Sequence, residues 1–509
     1  MSAPSSSTDA RHATSYAAAD ERSLLHNGAL VWLDEPVSYD DVLHAVDAAA
    51  RARRELTLRP PRLPLASEVL GWTRDDAFRA SRHVHAVALD APADEHAVAR
   101  TAGTLWERPL RFDRPPWEVD VLTDGDGLGV ALLVKAHPAL STRGAAALVE
   151  LLLGDGAETA SKSAAPQAGD DQDAEEDEAS RGGVLPAVLR LAALLALRGA
   201  EGSRALASEV RNLMRPGAAL ARTREVGRML ESAGTLVSSP APETPWNGTL
   251  GNQRAVCWLS LPLDGLHAIA RRFGGTWQDA WLTVVADALG RLLRACGRPT
   301  MDLSLLAFRP EPRGGDTSAS SNAADARGAS SASDANDARA GASAPDADDA
   351  RADRPGPMLV ALPVGELAPA ERFASVHASA RDPLSAARGT GLARMAAIAQ
   401  RLPEPLQSAL GLLAFQAANV VVASERAPQS LFVLGNRRVA TLVPLAALPW
   451  QIGLALTSLE HDEHELTIGI TLDPSRAPAP TKVVRALHDA YATLAAAADV
   501  APTHARATR

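Results

Sequence analysis

Residues 246–293 read WNGTLGNQRAVCWLSLPLDGLHAIARRFGGTWQDAWLTVVADALGRLL. CWLSLPL, at 257–263, has the length and apolar content of a strand. LDGLHAIARRF follows with helical spacing, Asp264 placed to cap its start and Gly274 just past its end. Thr276 and Asp279 then stand at capping-box spacing. Behind them Trp281, Val284, Val285, Ala288, Leu289 and Leu292 recur at the three- and four-residue intervals of one helix face, and Gly297 with Pro299 ends that helix.

The same alternation extends on both sides. Upstream, NGALVWL (27–33) reads as a strand and SYDDVLHAVDAAARARREL (38–56) as a helix with Ser38 or Asp40 near its N-cap. HVHAVAL (83–89) is strand-like and EHAVARTAGTLWE (95–107) helical. WEVDVL and LGVALLVKA are two strands joined across the turn residues DGDG, and TRGAAALVELLL closes this half as a helix. Downstream, MLVALPV and NVVVAS read as strands and ERFASVHASARDPL as the start of helix running through Ala417. IGLALTSL and LTIGITL flank EHDEHE as a hairpin, and TKVVRALHDAYATLAAAA is a C-terminal helix.

Composition divides the chain. Its 509 residues suffice for two sizeable cores. The expected organisation is a disordered tail at 1–19, an N-terminal domain at 20–153, an acidic disordered linker at 154–183, a helical connector at 184–236, and a C-terminal domain at 246–498 with a disordered insertion at 312–356. The connector opens with VLPAVLRLAALLALRGA, apolar nearly all round, followed by six arginines between Arg204 and Arg228. Two readings stand: a buried connector with snorkelling arginines, or an interfacial helix that brings 184–230 against a membrane or lipid droplet. A net charge of −10 without a basic stripe argues against nucleic acid as a partner. The two cysteines, Cys257 and Cys296, fit neither a metal spacing nor a disulfide framework. The polar N-terminus lacks a signal-peptide core, and no apolar run is long enough to span a bilayer, so a cytoplasmic location is expected, with the connector as a peripheral contact.

Five segments, in order, resemble the wax ester synthase/diacylglycerol acyltransferase family. ERPLRFDRPPWEVDVL (107–122) is similar to PLDRxRPLWEV, and VALLVKAHPALSTRG (130–144) to the strand that leads into HHxxxDG. Residues 246–293 resemble LNG…LPLD…TVNDVVLAAVAGAL. NVVVASERAPQ (419–429) resembles NxVVSNVPGP, and ALPWQIGLALTSL the DGQGLNI segment. The resemblance implies an α/β fold of two chloramphenicol-acetyltransferase-like domains, each a mixed sheet backed by helices, with a tunnel between them. It also implies acyl-CoA as co-substrate, no further cofactor and no metal, and an alcohol or diacylglycerol as acceptor.

The departures fall on the chemistry. Ester formation from a thioester needs a base to take the proton of the attacking hydroxyl, and in the family that is the second histidine of HHxxxDG. Here His137 keeps the first histidine, Pro138 stands at the second, Thr142 at the aspartate and Arg143 at the glycine. Proline accepts no proton. His137 is the catalytic candidate: one position away at a strand end it is expected to point to the opposite face, unless the restriction that Pro138 places on it changes the local geometry. Arg143 is expected to be a solvated helix-start residue or a contact for a CoA phosphate. Elsewhere, Gln278 replaces the asparagine of TVND while Asp279 persists, Ser424 takes the asparagine of SNVPGP, and Gln451 matches the glutamine of DGQG. Asp279, Ser424 and Gln451 are therefore candidate substrate contacts, with Asp279 also explained by capping. His461 and His464 sit among acidic residues in a hydrated turn. The expected function is a neutral-lipid acyltransferase with impaired or lost catalysis. The alternative is a catalytically silent acyl-lipid-binding protein or partner of an active relative.

Overall fold

The computed structural model describes residues 26–60, 72–138, 140, 144–154, 241–310, 357–399, 417–428, 431–449, 452–460 and 464–500. The expected tail, connector and insertion, and nearly all of the acidic linker, lie outside them, as do Thr142, Arg143, Gln451 and His461.

The first sheet is built from β1 (Asn27–Leu33), β4 (Val84–Ala88), β5 (Trp117–Thr123) and β6 (Gly129–Ala136), with β2 (Leu58–Arg59) and β3 (Thr73–Arg74) forming a separate small ribbon. Helices α1 (Tyr39–Ala52) and α3 (Ala145–Leu153) cover one face, where Val42, Val46, Leu148 and Leu152 pack with Val31, Val119, Leu132 and Val134. Ser38 caps α1 in a capping box with Asp41. Helix α2 (Glu95–Trp106) lies on the opposite face, its Leu105 and Trp106 packed with Leu30 and Leu133.

The second sheet has the order β7 (Ala255–Pro262), β14 (Glu465–Leu472), β13 (Leu454–Glu460), β10 (Val420–Arg426), β8 (Ser304–Arg309), β9 (Met358–Pro363). Strands β13, β10 and β8 run parallel and their outer neighbours antiparallel. Helices α4 (Leu263–Phe273), α5 (Trp277–Ala295), α6 (Pro369–Arg381) and α8 (Pro480–Ala497) cover it, while α7 (Pro383–Ala399) runs beside β9. The core joins Trp281, Val285, Leu289 and Leu292 of α5 to Leu259, Leu305, Val422 and Leu456 of the strands. The Thr276–Asp279 capping box forms as expected, and Gly274 ends α4 in the left-handed region. Asp264 does not cap α4. The helix starts one residue earlier, behind Pro262, and Asp264 in its first turn pairs with His464 at 2.7 Å.

The chain crosses between the sheets. After β10 it forms β11 (Phe432–Val433) and β12 (Arg437–Leu445), which extend the first sheet to the order β11–β12–β1–β6–β5–β4, before returning to the second sheet at β13. Thus residues 246–498, read from sequence as one C-terminal domain, contribute two strands to the N-terminal sheet. The crossing is tight: the Pro444 carbonyl would lie 1.7 Å from a Cβ at Gly469 on β14, a position only glycine can fill. On α2, Trp106 shares a cluster with Val256 and Trp258 of β7, a second junction between the two halves.

Candidate functional site

Strand β6 delivers the edited motif. Its alternate residues Leu132, Val134 and Ala136 face the core under α1 and α3, while Ala131 and Leu133 face α2. Lys135 continues the α2 row. Fully buried, it reaches the Leu105 carbonyl at 2.9 Å and Glu118 at 3.2 Å. His137 follows it in that row, buried, with the Phe112 ring edge-on at 5.8 Å. Its backbone N–H donates to the Pro116 carbonyl at 3.0 Å and its carbonyl accepts from Leu140 at 2.9 Å. Burial pushes the imidazole down to about 3, so the ring is neutral at pH 7 and only weakly basic. Pro138 is partly exposed.

The turn into α3 is completed at Gly144, with φ of 96°. That positive φ falls on a glycine, which adopts it without a side-chain penalty. The first N–H of α3, on Ala145, is met from the other half of the molecule. Glu425, at the end of β10, accepts it through Oε2 at 2.8 Å in a buried contact. A carboxylate at a helix N-terminus satisfies an otherwise orphaned donor and matches the helix dipole. Two segments nearly three hundred residues apart, VALLVKAHPALSTRG and NVVVASERAPQ, therefore meet in space.

Ser424 points the other way. Val420 and Val422 belong to the core under the helices, and Ser424 is next in that row. Its hydroxyl lies 3.1 Å from that of Ser458 on β13, which follows Leu454 and Leu456 in the same fashion. On β8, Leu305 and Ala307 lead to Arg309. The helix-covered face of the second sheet thus turns polar at the carboxyl ends of three parallel strands.

Asp279 lies at the N-terminus of α5 and has more partners than its cap requires. Its Oδ2 accepts from Thr276 N and Oγ1, both at 2.9 Å, lies 2.8 Å from Nδ1 of His377, and accepts from Arg381 at 3.4 Å. Burial alone would raise its pKa; the Thr276 N–H and the His377 and Thr276 side chains outweigh this, and the net shift is downward. Arg309 feels the same carboxylate: burial lowers the guanidinium's pKa, and the charge of Asp279 offsets part of that. His377, Arg381 and Arg309 were not singled out in the sequence. The available signal was His377 and Arg381 standing four apart on one predicted helix, hence on one face.

Of the sequence-derived candidates, His137 and Pro138 stand just past the end of β6, while Ser424 and Asp279 share the polar end of the second sheet's helix-covered face. Among the described residues no cluster of three potential metal ligands occurs, and no helix is long and apolar enough to cross a membrane.

Residues 10–281 match the wax ester synthase/diacylglycerol acyltransferase catalytic domain, and residues 354–495 match the WS/DGAT C-terminal domain. The chain belongs to the wax ester synthase/diacylglycerol acyltransferase family. A probable diacylglycerol O-acyltransferase of Mycobacterium tuberculosis is 27% identical over 492 residues, covering 94% of this chain and 92% of that protein. A second, putative diacylglycerol O-acyltransferase of the same organism is 30% identical over 225 residues, 44% of this chain and 41% of its own length. The solved wax ester synthase/diacylglycerol acyltransferase of Marinobacter aquaeolei VT8 superimposes with a TM-score of 0.56 at 16% identity, covering 95% of this chain and 97% of that one. That likeness concerns the fold, and the two-sheet α/β architecture is the one expected from the sequence.

Proposed function

We propose that this family member is an acyl-CoA-dependent O-acyltransferase of neutral-lipid synthesis, in which the HHxxxDG segment no longer supplies the base. Acyl-CoA is the co-substrate, an alcohol or a diacylglycerol the acceptor, and no other cofactor takes part. The supporting observation is the Glu425–Ala145 contact, which brings the two family segments together although both have changed. Pro138 has no proton-accepting group, Thr142 no carboxylate, and His137 is buried with depressed basicity. Catalysis through the motif is therefore impaired. The same facts favour a second reading, a silent acyl-lipid-binding protein or partner, which keeps the binding surfaces and lacks turnover. Residues 184–230 are proposed as a peripheral contact with a membrane or lipid droplet.

Purified protein incubated with radiolabelled palmitoyl-CoA and either hexadecanol or dioleoylglycerol separates the two. Labelled wax ester or triacylglycerol supports the enzyme; acyl-CoA binding without product supports the silent reading. Pro138→His with Thr142→Asp restores the missing groups and is expected to raise turnover above the parent. A positioned general base is worth roughly 10²–10⁴ in rate. A folded variant no faster than the parent would count against an impaired motif.

A further inference from the structure

We propose that His377, held by Asp279, is the proton acceptor for acyl transfer, so that the base stands on the second half of the molecule rather than in the motif. This rests on the acyltransferase reading.

The geometry is that of an oriented base. His377 Nδ1 lies 2.8 Å from Asp279 Oδ2, and the proposed base is the tautomer that donates its Nδ1 proton to this carboxylate and keeps Nε2 as acceptor. Arg381 Nη1 lies 2.6 Å from the same ring nitrogen and 3.4 Å from Oδ2. In this tautomer Nδ1 cannot accept from it, so the guanidinium has to turn to the carboxylate. The ring is packed yet reachable: it stacks on Phe373 at 6.2 Å, and its side chain is 27% exposed. The pairing also depends on Gly275, where a Cβ would stand 2.9 Å from both Asp279 Oδ2 and His377 Nδ1.

The location suits the role. Arg309 ends the helix-covered row of β8, Ser424 and Ser458 stand one place before the paired Arg426 and Glu460 in the corresponding rows of β10 and β13, and Arg309 senses the Asp279 carboxylate. The carboxyl ends of parallel strands are where open α/β sheets bind ligands. One residue beyond Ser424, Glu425 touches the helix that follows the motif. The polar end therefore abuts the segment where family chemistry is expected. By contrast, the other described His–carboxylate pair between distant segments of this half, His464–Asp264, is fully hydrated, with side chains 74% and 70% exposed.

In the proposed step the acceptor hydroxyl oxygen bonds to the thioester carbonyl carbon while its proton passes to Nε2 of His377. The C–S bond then breaks, and the leaving CoA thiolate takes that proton back from the imidazolium. The products are ester and free CoA thiol, and the enzyme is unchanged. Asp279 acts as the positioning residue.

The test is a steady-state assay of the full chain with palmitoyl-CoA and the better of the two acceptors, comparing His377→Ala, His377→Gln, Asp279→Asn and the control His464→Ala. Both His377 variants are expected to lose ~10²–10³-fold in kcat with KM little changed. Added imidazole should restore part of the rate to His377→Ala. Asp279→Asn keeps a capping oxygen and should lower kcat at a modest cost in thermal midpoint. His464→Ala should match the parent. Parent-level kcat in folded His377→Ala, or a lost rate that imidazole does not restore, would overturn the assignment while leaving the acyltransferase reading intact. A parent inert with both acceptors would overturn that reading and this one with it.

Discussion

Replacing Glu425 with alanine removes the acceptor of the first N–H of α3 and empties a buried position between the two halves. Two terms set the size of the effect. An unpaired buried N–H costs about 1–3 kcal/mol, and a carboxylate at a helix N-terminus contributes about 0.3–1 kcal/mol. Together they give roughly 1.3–4 kcal/mol for Glu425→Ala. Glu425→Gln keeps an oxygen on Ala145 and loses only the charge, so it should cost about 0.5–1 kcal/mol. The readout is urea unfolding followed by tryptophan fluorescence, since Trp106 and Trp117 report the first half and Trp246 and Trp281 the second, all buried. With m of ~3 kcal/mol/M, the alanine variant should unfold about 0.4–1.3 M earlier than the parent. Because the contact joins the halves, both signals should move. An alanine variant within about 0.5 kcal/mol of the parent, or a glutamine variant as damaged as alanine, would refute the reasoning.

Acid should destabilise the protein through its buried histidines. Burial holds His137 near 3 and His83 near 4, and lowers His26 well below the ordinary value. Each is neutral when folded and protonated when unfolded below about pH 6.5, so their contribution is present above that pH and is lost as pH falls toward the folded values. Each adds a slope of about 1.4 kcal/mol per pH unit, and His137→Gln should remove one such increment from unfolding curves taken at pH 5 and 7; an unchanged slope would show that His137 is accessible. Gly144→Ala forces a side chain into positive φ and should cost about 1–2 kcal/mol in the same assay, whereas a neutral result would mean that the turn rearranges. Lys135→Met strands Glu118 beside a buried apolar chain and should cost about 3–5 kcal/mol, partly recovered in the double variant with Glu118→Gln.

The strands and helices were legible because the signals are local. The α5 capping box, the Gly274 stop and the β13–β14 hairpin are each written within a few residues. β12 was not singled out. Arg437–Leu445 carries apolar Val439, Leu442, Val443 and Leu445, enough for a strand, yet nothing local says that it leaves its neighbours to pair with β1. Pairing register is a tertiary property, decided here by the fit of Pro444 over Gly469. Asp264 shows the reverse: a good cap by composition, displaced because β7 runs directly into the helix at Leu263.

The site was legible only where a family motif marked it. HHxxxDG directed attention to His137 and Pro138, and in the fold His137 continues the β6 row that faces α2. What the alternation could not provide was the set of strand ends that converge. Ser424 and Glu425 are adjacent in sequence and face opposite ways, one toward Ser458 beneath the helices and the other toward Ala145 of the first half. His377 lies 98 residues from Asp279 and becomes its partner only because α6 packs beside α5 and Gly275 leaves room between them. A motif read alone therefore says that the chemistry is lost. With the second half folded against it, a carboxylate from β10 supports the helix that follows the motif, and a histidine oriented by a second carboxylate stands at the polar end of the same sheet. The proposed change of base therefore moves the proton acceptor to the half that already touches, through Glu425, the helix following the motif.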